Sequence, residues 1–453
     1  MIPFVASPST EEKTSNITIQ KQDTNFVVFA YGIVPPLLNH SKIKQSLLRK
    51  DPTHEGIVKL KCGAEHFVCL TEKNALIIGG SNKYGQCGYT ELEQLEALKN
   101  KPVTKEDQEK TEEPEPQNNH IWTVLKIDGH EILDIAAGSY HTMILVKRNE
   151  DGLRRLLCMG HELGSGFLDK KHRCNPTEIF IPGTDGDPIK KIFAGQLRSA
   201  AVLESGRIFM WGEWFSGQKQ RHPVEINMTL DEGDNIKKIS IGKMHALIIT
   251  KKGKLYSVGD NTYGELGEPR NVRGRDRPAT IEFFNNWGRV CKGFQIIDCE
   301  AGCRHSIILD NMGNIYTFGD NSEGQCGLEE NRVYTPKIVD VPDIFADTNA
   351  KASYIFAGDA HSACLTLNGD LFAWGDNSAG RLGIESNGSV FHPTLVDELV
   401  GRNLCGACLG GFFSIFVAGT ENNSLLKKYE IRKRKTQARK TLRLGGLKLP
   451  IKL

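Results

Sequence analysis

Short apolar runs, separated by glycine, asparagine and aspartate, recur along the whole chain. In the clearest copies an apolar strand ends at Gly-x-x-His and a second short strand follows. A turn such as Glu204–Arg207 or Asn311–Asn314 then leads into a third strand that ends in glycine, as in Arg207–Gly212 and Asp370–Gly375. Short runs with this punctuation are typical of antiparallel strands joined by hairpins.

The Gly-x-x-His unit occurs seven times, with its leading glycines spaced by 75, 57, 47, 60, 56 and 52 residues. A period near 50 residues with four short strands is typical of a propeller blade. The leading glycines are Gly63, Gly138, Gly195, Gly242, Gly302, Gly358 and Gly410. Five copies carry the histidine, at His66, His141, His245, His305 and His361, and the other two carry Arg198 and Phe413 in its place.

The Gly-x-x-His strand, the hairpin after it and the turn WGDNSAGRLG (Trp374–Gly383) resemble the regulator of chromosome condensation repeat. The resemblance covers about residues 25–420 and implies an all-β fold, a seven-bladed β-propeller. Asn25–Gly32 reads as a third strand with no Gly-x-x-His strand before it, and residues 404–419 show the reverse. We therefore expect the N-terminal strand to pair with the C-terminal strands of the last blade and close the ring, which leaves no open sheet edge. The remaining segments are an N-terminal extension at 1–24, a charged insertion at about 90–120 and a basic C-terminal tail at 421–453.

The repeated glycines and histidines have a structural interpretation and a functional one. Glycine permits a tight bend or a close strand approach, whereas a phosphate-binding loop would lead into a helix. The five histidines occupy one structural position in five blades, so we do not expect them to meet on one metal ion. We interpret each as a buried imidazole that bonds to the backbone of its own blade.

Candidate chemistry outside the repeat is sparse. Several cysteines, such as Cys69 and Cys364, occupy positions that hold apolar residues in sister repeats, as small core side chains do. The pair Cys405 and Cys408 has a C-x-x-C spacing that suits metal or redox chemistry, but no second pair accompanies it. We predict no catalytic residues, no metal and no cofactor.

Charge is distributed unevenly along the chain. From Lys427 to the end there are eleven Lys and Arg residues and one acidic residue, so this part carries +10 and the rest −8 of the net +2. A tail of this kind concerns partners rather than fold. The start of the chain has neither the basic residues nor the long apolar stretch of a secretory signal, and no apolar run suffices for a membrane span. We expect an intracellular protein, cytoplasmic or nuclear and not secreted.

The residues that follow each repeat glycine are predicted to line one rim of the propeller. Their mixed charge and aromatic content suit protein recognition, against the alternative of a solvated rim without a partner. The candidate partner-binding residues are Glu65, Tyr140, Lys243, Arg304, Asp359 and Phe412.

The tail and the insertion are two further candidate contacts. The tail's Lys and Arg residues suit nucleic acid, an acidic protein surface or, less well, a membrane surface, and the alternative is an unstructured tail. The insertion is either a tolerated surface loop or a partner-binding arm. The candidate basic residues are Lys427, Lys428, Arg432, Lys433, Arg434, Lys435, Arg439 and Lys440.

Two functions are compatible with these features. The first is a non-enzymatic protein–protein interaction propeller, a scaffold or adaptor within a larger assembly and a monomer by itself. The second follows from the family resemblance, which implies guanine-nucleotide exchange on a Ran-like small GTPase, with chromatin association as a variant. Asp359 is the one rim position that matches the acidic rim this activity implies.

Overall fold

Seven four-stranded antiparallel sheets form the ring of a β-propeller. The computed structural model describes residues 27–32, 45–46, 57–88, 122–214, 217–284, 286, 291, 293–343, 348–386 and 388–421. The N-terminal extension, the whole insertion and, apart from Glu421, the basic tail lie outside the described residues.

Six blades are built from four consecutive strands, which follow one another from the channel outward. Blade 1 comprises β3 (Ile57–Cys62), β4 (His66–Thr71), β5 (Leu76–Gly80) and β6 (Trp122–Leu125). Blade 2 comprises β7 (His130–Ala137), β8 (His141–Arg148), β9 (Arg154–Gly160) and β10 (Arg173–Ile179). Blade 3 comprises β11 (Ile189–Ala194), β12 (Arg198–Leu203), β13 (Ile208–Glu213) and β14 (Lys219–Ile226). Blade 4 comprises β15 (Ile236–Ile241), β16 (His245–Thr250), β17 (Leu255–Asp260) and β18 (Gly274–Thr280). Blade 5 comprises β19 (Ile296–Ala301), β20 (His305–Asp310), β21 (Ile315–Asp320) and β22 (Arg332–Val339). Blade 6 comprises β23 (Ala352–Ala357), β24 (His361–Thr366), β25 (Leu371–Gly375) and β26 (Val390–Leu395).

The seventh blade is shared between the two ends of the described chain. It comprises β27 (Arg402–Leu409), β28 (Phe413–Glu421), β1 (Val27–Gly32) and β2 (Gln45–Ser46). The strand β1 pairs with β28 from Val27 opposite Ala418 to Gly32 opposite Phe413. The predicted closure of the ring is confirmed. Short helical pieces also occur, among them α1 (Glu162–Ser165) and a 3-10 turn (Asp397–Leu399).

The core lies between neighbouring blades. The second strand of each of the six consecutive blades is buried along most or all of its length, because its two faces pack against the blades on either side. Trp374 is fully buried, and its indole N–H donates to the carbonyl of Gln325 in the preceding blade at 3.0 Å. Cys69 and Cys364 are buried in the interblade core, as expected for small apolar side chains.

The inner strands line a central channel whose walls carry paired charges. Lys59 of β3 lies 3.0 Å from Asp134 of β7. Lys238 of β15 lies 2.8 Å from Asp298 and 2.5 Å from Glu300 on β19. These ion pairs join neighbouring blades along the channel.

Candidate functional site

Two sets of loops share one end of the propeller, because adjacent strands in each blade are antiparallel. In blade 5 His305, at the start of the second strand, pairs with Gly319, near the end of the third. The Gly-x-x-His loops and the glycine turns after the third strands therefore form a single surface. We call this surface the rim face.

The repeat glycines touch one another around the channel. A Cβ atom added to Gly63 would lie 2.1 Å from the carbonyl oxygen of Gly138, and one added to Gly410 would lie 2.8 Å from that of Gly63. None of the seven has a positive φ. Glycine is required here because the neighbouring backbone leaves no room for a side chain, rather than because of backbone conformation.

The residues after these glycines are joined by backbone hydrogen bonds from blade to blade. The N–H of Lys243 donates to the carbonyl of Cys303 at 3.1 Å, and that of Cys303 donates to Asp359 at 2.9 Å. The N–H of Asp359 donates to Gly410 at 3.3 Å, and that of Gly411 donates to Ala64 at 3.0 Å. The rim face thus presents its side chains on loops that are tied together.

The five repeat histidines are fully buried, as predicted. The predicted hydrogen bond to the backbone of the same blade is wrong, because each Nε2 atom instead contacts a hydroxyl group of the next blade. His66 Nε2 lies 2.9 Å from the hydroxyl of Thr142 in the next blade. The same contact occurs at His141 with Ser199, His245 with Ser306, His305 with Ser362 and His361 with Ser414, at 2.8 to 2.9 Å. Burial lowers the pKa of all five, to about 4 for His66 and about 3 for His141, so they are neutral joints between blades.

The two blades that lack the repeat histidine are each followed by a blade that lacks the hydroxyl group with which that histidine would bond. Arg198 precedes a blade that has Ala246 at that position, and it donates instead to the carbonyls of Gly242, at 3.3 Å, and Lys243. Burial lowers the pKa of this guanidinium to about 10. Phe413 precedes the blade that has Phe67 there, and both rings lie buried in one apolar cluster. The departures from the repeat are therefore matched across each junction.

The predicted rim residues lie on the rim face with different exposures. Lys243 and Phe412 are exposed, and Glu65, Tyr140, Arg304 and Asp359 are partly buried. Burial raises the pKa of Tyr140, and the charges of Glu65 and Asp359 contribute to the shift. Burial also raises the pKa of the Asp359 carboxyl, against the opposing charges of Arg381 and Lys243. The structure thus groups Glu65, Tyr140 and Asp359, whose part in binding remains a prediction.

Aromatic side chains on the glycine turns complete this surface, and the sequence analysis missed them. Tyr263 of blade 4 reaches the next blade, where the guanidinium groups of Arg304 and Arg332 lie 4.6 Å and 4.9 Å from its ring centre. Tyr84 holds the equivalent position in blade 1, and its ring centre lies 5.1 Å from that of Tyr140. In the sequence, both tyrosines stand directly before a glycine of their turn, in NKYG and NTYG.

A third aromatic contact lies at the junction of blades 6 and 7. The guanidinium of Arg381 lies 5.3 Å from the ring centre of Phe412 and 3.0 Å from the carboxylate of Asp376, and it donates to the carbonyl of Gly411 at 2.7 Å. Arg381 is buried, whereas Phe412 is 45% exposed. Arg381 therefore fixes an apolar ring that projects from the rim face.

A cluster of His161, Glu162 and His172 lies on the same face in blade 2. Among the described residues it is the one group of three His, Cys, Asp or Glu side chains whose ligand atoms come close enough to hold a metal ion, and the sequence analysis did not identify it. Burial lowers the pKa of His161, while Glu162 opposes that shift. Of the C-x-x-C pair, the structure describes the side chain of Cys408, which neighbours Cys62 of blade 1.

Among the residues that the structure describes, no helix is long and apolar enough to cross a membrane.

Known proteins share this architecture and sequence pattern. The human X-linked retinitis pigmentosa GTPase regulator is 30% identical over 363 residues, which cover 78% of this chain and 32% of that protein. The human probable E3 ubiquitin-protein ligase HERC6 is 30% identical over 289 residues, which cover 62% of this chain and 27% of that protein. The matched region thus spans about a third or less of these curated relatives.

Solved structures show the same fold at lower identity. Prp20p of Saccharomyces cerevisiae superposes with a TM-score of 0.70 at 19% identity, covering 94% of this chain and 97% of that one. Human WBSCR16 superposes with a TM-score of 0.64 at 17% identity, covering 87% and 100%. A family model described as RCC1-like domain matches residues 35–416. The chain therefore belongs to the RCC1-like domain family.

Proposed function

We propose that this chain is a non-enzymatic protein-interaction propeller that binds a protein partner through the rim face. The observation that carries the proposal is the set of aromatic–arginine contacts around Tyr263 and Phe412. Tyrosine, tryptophan and arginine are the residue types that most often dominate protein interfaces. On the rim face the two aromatic rings and their arginines lie together with Lys243 and Asp359. The surface therefore offers apolar area together with both signs of charge.

The rim face is also suited to binding because its loops are held in place before a partner arrives. The backbone bonds from Lys243 to Cys303 and from Cys303 to Asp359 tie three blades together. The guanidinium of Arg381 holds the exposed ring of Phe412 from below. Side chains that are already ordered lose less conformational freedom on association, which favours affinity.

Proteins with this fold and family provide context. Prp20p was described together with its binding to Gsp1p and histones, so one protein with this fold binds other proteins. In HERC6 the matched region is 27% of a longer protein. A propeller that forms one part of a longer protein agrees with the scaffold or adaptor function that we propose.

The experiment compares rim variants with matched variants at the opposite end. Partners captured by the full chain are identified and purified, and each Kd is measured for the parent, Phe412→Ser, Arg304→Ala and Lys243→Ala. Controls are Leu367→Ser, since Leu367 is 71% exposed, and Lys252→Ala, both on turns between second and third strands. We expect Phe412→Ser or Arg304→Ala to weaken binding about 30-fold, as for an interface hot spot, with the controls unchanged. Equal affinities for all variants would contradict the rim assignment.

A second candidate function is guanine-nucleotide exchange on a Ran-like small GTPase. Asp359 favours it, because this partly buried carboxylate lies on the rim beside Lys243, and one relative is named a GTPase regulator. Release of a fluorescent guanine nucleotide is measured across a panel of purified small GTPases, with Asp359→Asn and the exposed Asp340→Asn as control. Acceleration that is lost in Asp359→Asn alone supports exchange, and release at the spontaneous rate throughout the panel rejects it.

We propose the basic tail as a separate contact for nucleic acid or an acidic protein surface. Association with chromatin, the variant of the second candidate function, is a proposal of the same standing. The residues concerned lie outside the described part of the chain. Binding of duplex DNA that falls steeply with salt and disappears on deletion of 427–453 supports nucleic acid. Tail-dependent binding of an acidic protein without DNA binding supports the other partner. The intracellular location stays a prediction, testable by imaging the tagged full chain.

A further inference from the structure

Blade 2 departs from the repeat at its glycine turn. Where blade 6 has Gly375, Asp376 and Asn377, blade 2 has Gly160, His161 and Glu162. In blade 6 the Asn377 side chain accepts from the N–H of Leu382 at 3.1 Å and stabilises the turn from within. In blade 2 the short helix α1 replaces that turn, and two metal-ligand side chains occupy the positions of the aspartate and the asparagine.

A third ligand-type side chain returns to the same point at the end of this loop. The Nδ1 atom of His172 lies 2.9 Å from Oε2 of Glu162, and the Nδ1 atom of His161 lies 3.2 Å from it. The ligand atoms of the three residues all lie within 4.8 Å of one another. Ligands at about 2.0–2.2 Å from a tetrahedral Zn²⁺ ion lie about 3.3–3.6 Å apart, so small rotations of these rings suffice to surround an ion.

Each imidazole Nδ1 of the cluster accepts a long hydrogen bond from a backbone N–H, and an ion bound at Nδ1 would replace that bond. His161 Nδ1 accepts from the N–H of Leu163, and His172 Nδ1 accepts from the N–H of Glu162, both at 3.2 Å. A ring nitrogen that accepts a hydrogen bond carries no proton. Glu162 Oε2 is buried and has no hydrogen-bond donor within the described residues. Three acceptor atoms that converge in this way repel one another unless a cation or a proton lies between them.

The surroundings of the cluster resemble the outer shell of a metal site. The guanidinium of Arg221 lies 3.4 Å from the second carboxylate oxygen of Glu162 and orients it. The ring of Tyr84 packs edge-on against both imidazoles, with centres 4.9 Å and 5.0 Å apart. Outer groups of this kind fix the orientation of metal ligands. The side chain of His172 is 43% exposed, which leaves one side open to water.

We propose that His161, Glu162 and His172 bind one divalent transition-metal ion, Zn²⁺, with water in the fourth position. Two imidazole nitrogens and one carboxylate oxygen are ligands that Zn²⁺ accepts, whereas Mg²⁺ and Ca²⁺ prefer oxygen alone. The ion joins the end of β9 to the segment before β10 and so replaces the internal bonding of the sister turns. This proposal does not depend on the rim face as a protein interface.

The main competing account is that one imidazole is protonated and forms an ion pair with Glu162. Zn²⁺ binding by the full chain distinguishes the two. The protein is stripped with a chelator under reducing conditions and titrated with Zn²⁺ against a chromophoric chelator, first untreated and then with its thiols alkylated. Alkylation matters because eleven free cysteines in the described residues are alternative ligands.

Two ligand variants and one matched control complete the experiment. The variants are His172→Ala, at a partly exposed side chain, and Glu162→Gln; the control is His392→Ala, at an exposed histidine on β26. We expect one tight Zn²⁺ equivalent that survives alkylation, is weakened about 100-fold or more by each ligand variant and is unchanged in the control. Circular dichroism checks that each variant is folded.

Substitution of Co²⁺ gives an independent readout. The site predicts visible absorption without the intense near-ultraviolet band that thiolate ligands produce. The proposal is overturned if the parent takes up no tight equivalent after alkylation, if both ligand variants bind Zn²⁺ like the parent, or if the Co²⁺ spectrum shows thiolate ligation.

Discussion

The Nε2 atom of His305 lies 2.9 Å from the hydroxyl oxygen of Ser362 on the next blade. Ser362 in turn donates its single proton to the carbonyl of Gln325, at 2.8 Å, in the glycine turn of the histidine's own blade. The imidazole must therefore be the donor in the first bond. Through this relay, Ser362 of blade 6 bonds both to the second strand and to the glycine turn of blade 5. The side chains that form the relay are fully buried.

Loss of the histidine is expected to destabilise the propeller. His305→Ala leaves a cavity and removes the donor to Ser362, so we expect the free energy of unfolding to fall by about 2–4 kcal/mol. Urea unfolding followed by circular dichroism measures the change. His392→Ala, at an exposed site, serves as the control and is expected to stay within about 0.5 kcal/mol of the parent.

The relay also predicts energetic coupling across the blade junction. In a double-mutant cycle with Ser362→Ala and His305→Ala, we expect a coupling energy of about 0.5–3 kcal/mol, as for residues in one hydrogen-bond network. Strictly additive effects would contradict the relay and leave each residue as an independent core side chain.

Alanine at a repeat glycine is expected to be severely destabilising. A Cβ atom at Gly302 would lie 2.1 Å from Cε1 of His305 and 2.6 Å from the carbonyl oxygen of Gly358. Relief requires two blades to move, so we expect Gly302→Ala to cost about 3 kcal/mol or more. Gly186→Ala is the matched control, because a Cβ atom there meets nothing within 4 Å. A thermal unfolding scan showing similar midpoints for both variants would reject the close-approach explanation.

The buried histidines predict a loss of stability in acid. Burial lowers the pKa of His305 to about 3, below its ordinary value of 6.5. Between pH 6.5 and 3 the unfolded chain binds a proton at this histidine that the folded chain does not. The folding stability that is present above pH 6.5 is therefore lost as pH falls toward 3. Each such histidine adds a slope of about 1.4 kcal/mol per pH unit within that window.

His305→Phe tests this contribution, since Phe413 already fills the same position in blade 7. The free energy of unfolding is measured in urea from pH 7.5 to 4.5. We expect the variant's curve to fall less steeply below pH 6 by about one proton's slope. Parallel curves would show that other groups cause the acid sensitivity.

Glu265 predicts the opposite pH dependence. This carboxylate is buried in the glycine turn of blade 4, where it accepts from the N–H of Tyr263 at 2.7 Å, and burial raises its pKa to about 7. The unfolded chain releases the proton above pH 4.5 while the folded chain keeps it, so folding loses stability as pH rises from 4.5 to 7. Gln86 and Gln325 make the same bond with a neutral amide in sister turns.

Glu265→Gln is therefore expected to stabilise the protein by about 1–3 kcal/mol above pH 7 and to have little effect near pH 4.5. Gln325→Glu is the reciprocal control and is expected to destabilise above pH 7. Urea unfolding at the two pH values measures both. A gain for Glu265→Gln that is the same at both pH values would mean that burial of the charge is not its cause.

Much of the architecture follows from the sequence because the repeat is periodic. The spacing of Gly63 to Gly410 predicts seven blades, and the divided strands at the two ends predict how the ring closes. Both depend on the order of short strands along the chain, which local patterns of apolar residues and glycine determine. The burial of the repeat histidines follows from the same patterns.

The partners of those histidines do not follow from local patterns. His305 and Ser362 are 57 residues apart, and their contact depends on how one blade sits against the next. The matched departures, Arg198 with Ala246 and Phe413 with Phe67, are present in the sequence. They gain meaning only once the structure shows which position of one blade faces which position of its neighbour.

The candidate sites illustrate the same division. The Gly-x-x-His pattern by itself places Lys243, Asp359 and Phe412 on one rim. Only the tertiary structure brings Tyr263 onto Arg304, across the junction of blades 4 and 5, and closes His172 onto Glu162, at the two ends of one loop in blade 2. Local periodicity thus determined the number and order of the blades. Packing between blades and the path of the loops decided which side chains meet, since those contacts join positions that the repeat pattern does not relate.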